Sequence, residues 1–263
     1  MRDFNGKTAV ITGGARGNGL GMAEVLGEYG ASVMILDIDS SLQDSVKMLC
    51  AKGIRAKGYS VDITKKEQVD ACIEEILGEC SHIDILINNA GVSRLAKFEE
   101  MTDELRDFHF QINVFGAWNV TKAVIPNMIE NQYGRIINIS SVTGPRVCDS
   151  GFTAYASTKA ALIGFTKALA VEYAQKNITV NAILPGYIYT PMVQRSAEES
   201  NPSNPQSVID GIAAGVPMKR LGTTRELGEL AAFLASDEAA YITGTENIFD
   251  GGSTLPETMT MGV

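Results

Sequence analysis

"TGGARGNG", residues 12–19, stands between a short apolar run and a stretch of helical period in "AVITGGARGNGLGMAEVLGEYG" (9–30). A strand that runs into a glycine loop and then a helix offers the helix's free amides and positive dipole end to a pyrophosphate, if the backbone can come close. Gly13, Gly17 and Gly19 permit that approach, although their spacing is not the G-x-G-x-x-G dinucleotide fingerprint. Alone, the loop reads equally well as a tight strand-to-helix turn. The next apolar run, "SVMILDI" (32–38), carries Asp37, 24 residues beyond Gly13, where a carboxylate accepts hydrogen bonds from the ribose hydroxyls of an adenosine. A 2′-phosphate there would be repelled, by roughly 4 kcal/mol for one unit pair at about 4 Å and an effective dielectric near 20. Arg16 would offset part of this for NADP, but an exposed, flexible cation offsets little. The expected cofactor is NAD, with NADP less favoured.

Working outward, the same rhythm repeats. "TAVIT", "SVMILD", "IDILIN", "GRIINIS" and "ITVNAIL" are short, nearly continuous apolar runs, which suit strands buried on both faces. Between them lie helix patterns with start signals. In "TKKE" (64–67) and "TTRE" (223–226) a Thr precedes a Glu by three residues, so a capping box is expected at each. After the first, Val69, Cys72, Ile73 and Ile76 share one helical face. Strand alternating with helix predicts right-handed βαβ units and a doubly wound parallel sheet of about seven strands with helices on both faces. No linker or composition break divides the chain, so residues 1–263 are expected to form a single nucleotide-binding domain. Residues 191–217 carry no sheet pattern and are expected to form an insertion over the substrate.

Composition narrows the function. The 31 acidic against 22 basic residues give a net charge of −9, the wrong sign for nucleic acid or an anionic membrane surface. Cys50, Cys72, Cys80 and Cys148 form no C-x-x-C pair, and neither they nor His82 and His109 have metal-ligand spacing, so no metal is expected. With no apolar signal core in "MRDFNGKTAV" and no run near the ~20 apolar residues of a membrane span, a reducing cytoplasm is the expected compartment.

Three further stretches carry chemistry: "NNAG" (88–91) and "SS" (140–141), each after a strand, and "YASTK" (155–159), opening a helix. Tyr155 and Lys159, four apart, share a helical face. A nearby ammonium is expected to favour the phenolate and so make Tyr155 a usable general acid/base. With the glycine loop, these stretches resemble the short-chain dehydrogenase/reductase family, whose T-G-x-x-x-G-x-G loop "TGGARGNG" matches. The resemblance runs from Gly6 to about Gly252 and takes in "PGYIYT" (185–190) and "FDGG" (249–252); a subgroup of bacterial oxidoreductases is also matched at the tail "GGSTLPET" (251–258). It implies a Rossmann fold and hydride transfer between a nicotinamide and a carbonyl carbon, with a Tyr155, Lys159, Ser141 and Asn113 proton relay. Ser141 would hydrogen-bond the substrate oxygen, and Asn113 would hold a water near Lys159. The spacing from Ser141 to Tyr155 is one residue longer than in many members, which leaves Ser140 as the alternative.

The remaining cofactor contacts are implied by the same resemblance. Asp62 and Ile63 would border the adenine, with a helix cap as the other reading of Asp62. Asn89, Ala90 and Gly91 would lie on the adenosine side, and Pro185, Gly186, Ile188 and Thr190 toward the carboxamide. Asn18 stands where relatives usually carry Ile; its backbone N–H can still face the phosphates, while the contribution of its side chain is not legible.

The insertion offers Met192, Val193, Val208, Ile209, Ile212 and Val216 with Arg195 as its one base, which suits an apolar secondary alcohol or ketone, a steroid or bile-acid-like ring included. A phosphorylated or CoA substrate would want an Arg/Lys cluster. Arg94 and Arg146 read as surface arginines, with a substrate carboxylate as the alternative. The resemblance also implies a homotetramer paired through helices at about 102–131 and 153–175. The competing readings are a reductase of carrier-tethered 3-oxoacyl groups and a cofactor-sensing binding protein. The full relay argues against the sensor.

Overall fold

The computed structural model describes residues 2–256; Glu257 and Thr258 of the tail motif lie outside them. The first half runs β1 (Thr8–Thr12), α1 (Gly17–Glu28), β2 (Ser32–Asp37), α2 (Leu42–Ala51), β3 (Ala56–Ser60), α3 (Lys66–Cys80) and β4 (Ile85–Asn88). Then come α4 (Asp103–Phe110), a π-helical turn (Gln111–Gly116), α5 (Ala117–Glu130), β5 (Gly134–Ile139), α6 (Thr153–Tyr173) and β6 (Ile178–Pro185). The chain ends through β7 (Ile188–Tyr189), α7 (Pro191–Ser200), α8 (Pro205–Gly215), β8 (Gly222–Thr223), α9 (Thr224–Ala235) and β9 (Glu246–Phe249).

Seven strands form one parallel sheet in the order β3-β2-β1-β4-β5-β6-β9. Every residue of β1, β4, β5 and β6 is buried, because helices cover both faces. Successive strand residues point to opposite faces, and the core divides accordingly. Ile11 packs with Val25, Leu26 and Leu227 under α1 and α9, whereas Val10 packs with Val69, Ile73, Val120 and Val124 under α3 and α5. The strand order reverses between β1 and β4, which opens a crevice at their carboxyl ends.

β3 ("AKGYS") and β9 ("ENIF") have no continuous apolar run, because they are the edge strands and are mostly half-buried. The capping box at 223–226 is present, with Thr223 Oγ1 accepting from Glu226 N at 3.1 Å and Glu226 Oε2 from Thr223 N at 2.9 Å. The one expected at 64–67 does not form. Asp62 accepts from both the amide and the hydroxyl of Thr64, at 2.9 and 2.7 Å, which holds Thr64 in the turn before the helix, and the helix starts a residue later behind Lys65.

Residues 191–217 fold as two helices, each opened by a proline in its first turn. Thr190 Oγ1 caps α7 by accepting from Val193 N at 3.3 Å, and Asn204 Oδ1 caps α8 by accepting from Ser207 N at 3.3 Å.

Candidate active site

The glycine loop and the loop after β4 meet at the crevice. Thr12 Oγ1 accepts from Asn89 N and Ala90 N at 3.0 and 3.1 Å, while Asn89 Nδ2 donates to the carbonyls of Thr12 and Gly13 at 3.0 and 2.9 Å. Gly13 adopts φ +64°, and a side chain there would stand 2.8 Å from Ala90 Cα, so only glycine lets the two loops close. Gly17 opens α1 facing Thr190, and Gly19 is buried in its first turn. No side chain caps α1, whose N-terminal amides and positive dipole end are left for an anion. Beside it, Asn18 Oδ1 is buried without a hydrogen-bond partner among the described residues.

Asp37 ends β2 within this loop cluster, its two oxygens accepting from Ala15 N at 2.9 Å and Asp39 N at 3.0 Å. Arg16 is paired at 3.1 Å with Asp39, whose carboxyl sits below the ordinary range because Ser41 hydrogen-bonds it, with smaller help from Arg16 and Arg195. Asp39 was not legible as part of this edge, since nothing in its residue type separates it from a solvated acid. Asp62 and Ile63 follow β3; Asp62 holds the turn into α3, and the buried Ile63 gives its carbonyl to Asn119 Nδ2 at 3.0 Å. Pro185 O accepts from Val142 N at 3.1 Å, Gly186 N donates to Phe249 O at 2.9 Å, and Ile188 is buried beside Gly222 in the short β7–β8 pair. An open glycine loop, a free helix end and a strand-end carboxylate together fit a dinucleotide.

Ser140 and Ser141 follow β5 and, as neighbours on extended chain, point to opposite sides. Ser140 Oγ donates to Lys159 O at 2.7 Å and is spent on α6. Ser141, which accepts from Thr143 N at 3.1 Å, faces the Tyr155 phenol. Tyr155 is half-buried on α6, and one turn on Lys159 is buried with its Nζ 5.6 Å from the Tyr155 ring centre, donating to Ile139 O at 2.8 Å. Asn113 lies on the π-helical turn, where Oδ1 accepts from Val92 N at 2.8 Å and Nδ2 donates to Val92 O and Thr158 Oγ1 at 3.0 and 2.9 Å. A side chain on Gly91 would come within 3.3 Å of both Asn113 Oδ1 and Lys159 Nζ, so its absence lets these groups converge.

One expectation about this cluster needs correction. The Tyr155 phenol is pushed up, not down: burial disfavours its charge, hydrogen bonding by Ser141 opposes this, and the ammonium makes no significant contribution. The reason is that Lys159 is turned to a backbone carbonyl and is itself desolvated, which lowers it to about 8. The Asn113 side chain spends both N–H groups on Val92 O and Thr158 Oγ1 and accepts the Val92 amide through Oδ1.

The insertion also differs from its sequence reading. Val193, Val208 and Ile212 pack with Ala197, Ile209 and Leu221 as the core between α7 and α8, and Val216 is buried against the turn at Gly251. These side chains hold the two helices together, and only Met192 of the six is exposed. Arg146 is paired with Glu246 at 2.9 Å, and the Arg94 guanidinium lies over the Phe108 ring at 4.3 Å.

Among the described residues no group of three or more His, Cys, Asp or Glu could hold a metal ion, and no helix is long and apolar enough to cross a membrane. All four cysteines are free thiols.

Comparison with known proteins agrees with this arrangement. The family described as enoyl-(acyl carrier protein) reductase matches residues 13–254. The chain is 51% identical over 263 residues to oxidoreductase UcpA of Escherichia coli (strain K12), covering 100% of both. It is 38% identical over 250 residues to the 3-oxoacyl-[acyl-carrier-protein] reductase FabG of the same organism, covering 95% of this chain and 98% of that one. The crystal structure of L-sorbose reductase from Gluconobacter frateurii, complexed with NADPH and L-sorbose, superposes with a TM-score of 0.93 at 32% identity, over 97% of this chain and 99% of that one. With this fold, this cluster and these matches, the chain belongs to the short-chain dehydrogenase/reductase family and is an oxidoreductase.

Proposed function

We propose that this protein is an NAD(H)-dependent oxidoreductase that interconverts a secondary alcohol and a ketone. The convergence of Ser141, Tyr155 and the buried Lys159 at the crevice beside the glycine loop carries this reading. Gly13, Arg16, Gly17, Asn18, Gly19, Asp37, Asp62, Ile63, Asn89, Ala90 and Gly91 would hold the adenosine and pyrophosphate part of the cofactor. Pro185, Gly186, Ile188 and Thr190 would meet the nicotinamide end together with Tyr155 and Lys159. Bound NAD(H) supplies or takes the hydride.

The chain's own residues handle the proton. In reduction the Ser141 hydroxyl donates a hydrogen bond to the substrate carbonyl oxygen, and Tyr155 gives that oxygen its proton. A phenol held up by burial is in the protonated form such a donor needs. Lys159, charged below about pH 8, would stabilise the phenolate left behind by turning to it from the Ile139 carbonyl. In oxidation the same groups run in reverse.

Asp37 and Asp39 stand together at the ribose end, with Arg16 already engaged by one of them. That grouping favours NAD, although the L-sorbose reductase structure holds NADPH. The loops after β4, β5 and β6 leave Leu95, Val147 and Tyr187 exposed, and α7 adds Met192. These side chains, now in place of the buried ones of the insertion, support an apolar alcohol or ketone, ring systems of steroid size included. Residues 191–217 would cover it. The resemblance to FabG favours a second reading, reduction of a carrier-tethered 3-oxoacyl group, against which the net charge of −9 counts. The whole chain is read as one cytoplasmic domain. Phe115 and Trp118 are exposed, and Trp118 stacks on Phe165 at 5.2 Å, which supports a homotetramer formed through α5 and α6. A screen of secondary alcohols and ketones, sterols, sugars and a 3-oxoacyl thioester included, with both cofactors, tests the reading; absence of turnover with every member defeats it.

A further inference from the structure

Thr158, in the second turn of α6, is wholly buried against the π-helical turn. Its hydroxyl donates to Tyr155 O at 2.7 Å, a back-bond that threonines often make within helices. It also accepts from Asn113 Nδ2 at 2.9 Å, a side chain 45 residues away on another element. A hydroxyl has one proton. Since that proton goes to Tyr155 O, the edge of Asn113 facing Thr158 must be its NH2 group. Oδ1 is thereby turned to Val92 N, and the second N–H to Val92 O. The hydrogen bonds thus run in one direction, from Asn113 through Thr158 to the Tyr155 carbonyl, and the same amide clamps the loop after β4.

We infer that Thr158 is a positioning residue for the Tyr155 and Lys159 pair, its hydroxyl locking the Asn113 amide, the Val92 loop and the first turn of α6 into one frame. This rests on the reading of Tyr155 as the proton donor. The frame reaches the ammonium through Gly91, whose open side lies between Asn113 Oδ1 and Lys159 Nζ. Without the hydroxyl, one Asn113 N–H is left buried and unpaired, and the amide is free to turn over. Ser141 from the β5 loop, which faces the phenol, and Lys159, one turn along α6, then lose their fixed relation to it.

The experiment compares Thr158→Val, Thr158→Ala and Thr158→Ser in the full-length protein by two measurements. One is kcat and KM for NADH-dependent reduction of the fastest among cyclohexanone, L-sorbose and a 3-ketosteroid. The other is ultraviolet titration of the Tyr155 phenol, isolated by difference from Tyr155→Phe. T158V and T158A are expected to lower kcat by about tenfold or more with KM for NADH within about twofold, and to move the phenol titration by about one pH unit. T158S is expected to restore both. Wild-type kcat and titration in T158V and T158A, or a T158S as impaired as T158A, overturns the proposal, because the hydroxyl is then not the active feature. Should T158V not fold, T158A and T158S still differ by the hydroxyl alone. If wild type turns over none of the ketones, the redox reading fails, while the phenol titration, which needs no substrate, still decides the role of Thr158.

Discussion

Lys159 Nζ lies 5.6 Å from the centre of the Tyr155 ring and donates its 2.8 Å hydrogen bond to the Ile139 carbonyl, away from the phenol. In this state the two groups are neighbours, not an ion pair. Tyr155→Phe should therefore remove the proton donor and little else. We expect kcat for ketone reduction to fall by roughly a hundredfold to ten-thousandfold, with NADH affinity by fluorescence titration close to wild type. Persistent turnover would assign the proton to another group.

Lys159 also predicts a pH dependence with a definite sign. Burial lowers it from 10.5 to about 8, so between those values the unfolded chain binds more protons than the folded one, and stability rises with pH across that window. The penalty of holding the charge below pH 8 is of the order of 3 kcal/mol at most. Lys159→Met should raise Tm near pH 7 and lose that advantage as the pH approaches 10.5. A Tm difference that is flat with pH would mean the ammonium is not desolvated as its burial indicates. Wild-type reduction should correspondingly weaken above about pH 8 as the charge is lost.

Among the described residues Asp37 accepts only backbone amides, and in the proposed cofactor site its carboxylate would meet ribose hydroxyls or a 2′-phosphate. Asp37→Ala should shift the NADH to NADPH ratio of kcat/KM toward NADPH by about tenfold or more, since roughly 1.4 kcal/mol of relieved repulsion suffices. A wild type already faster with NADPH would refute the cofactor assignment.

Trp118, exposed and stacked on Phe165, tests the assembly. Light scattering at micromolar concentration should give a tetramer mass for the wild type and a smaller species for Trp118→Glu, because a charge on a covered aromatic face is costly to desolvate. A monomeric wild type would end the proposal.

The Thr223 and Glu226 capping box offers a check on the fold itself. Glu226 is held down to about 2, chiefly by Arg220 and by Thr223 N, yet it is largely exposed and its ion pair is solvent-screened. Thr223→Ala should cost about 1 kcal/mol, the ordinary value of an N-cap, measured by urea denaturation. No loss would mean that packing alone holds α9.

Much of the architecture was legible because buried parallel strands must be continuously apolar and must alternate with helices to be covered. β1, β2, β4, β5 and β6 stand where their apolar runs placed them; β3 and β9 were hidden because an edge strand needs only part of that signal. Residue types at fixed spacing likewise marked the glycine loop, Asp37 and the Tyr155 and Lys159 pair as candidates, since chemistry restricts which side chains can serve. What the side chains do to one another depended on packing. Only the folded chain turned Ser140 into α6 and Ser141 toward the phenol, or spent the apolar residues of 191–217 on the contact between α7 and α8. It also raised Tyr155 where spacing alone suggested lowering, because desolvation and the direction of a hydrogen bond are set by neighbours that no local pattern records.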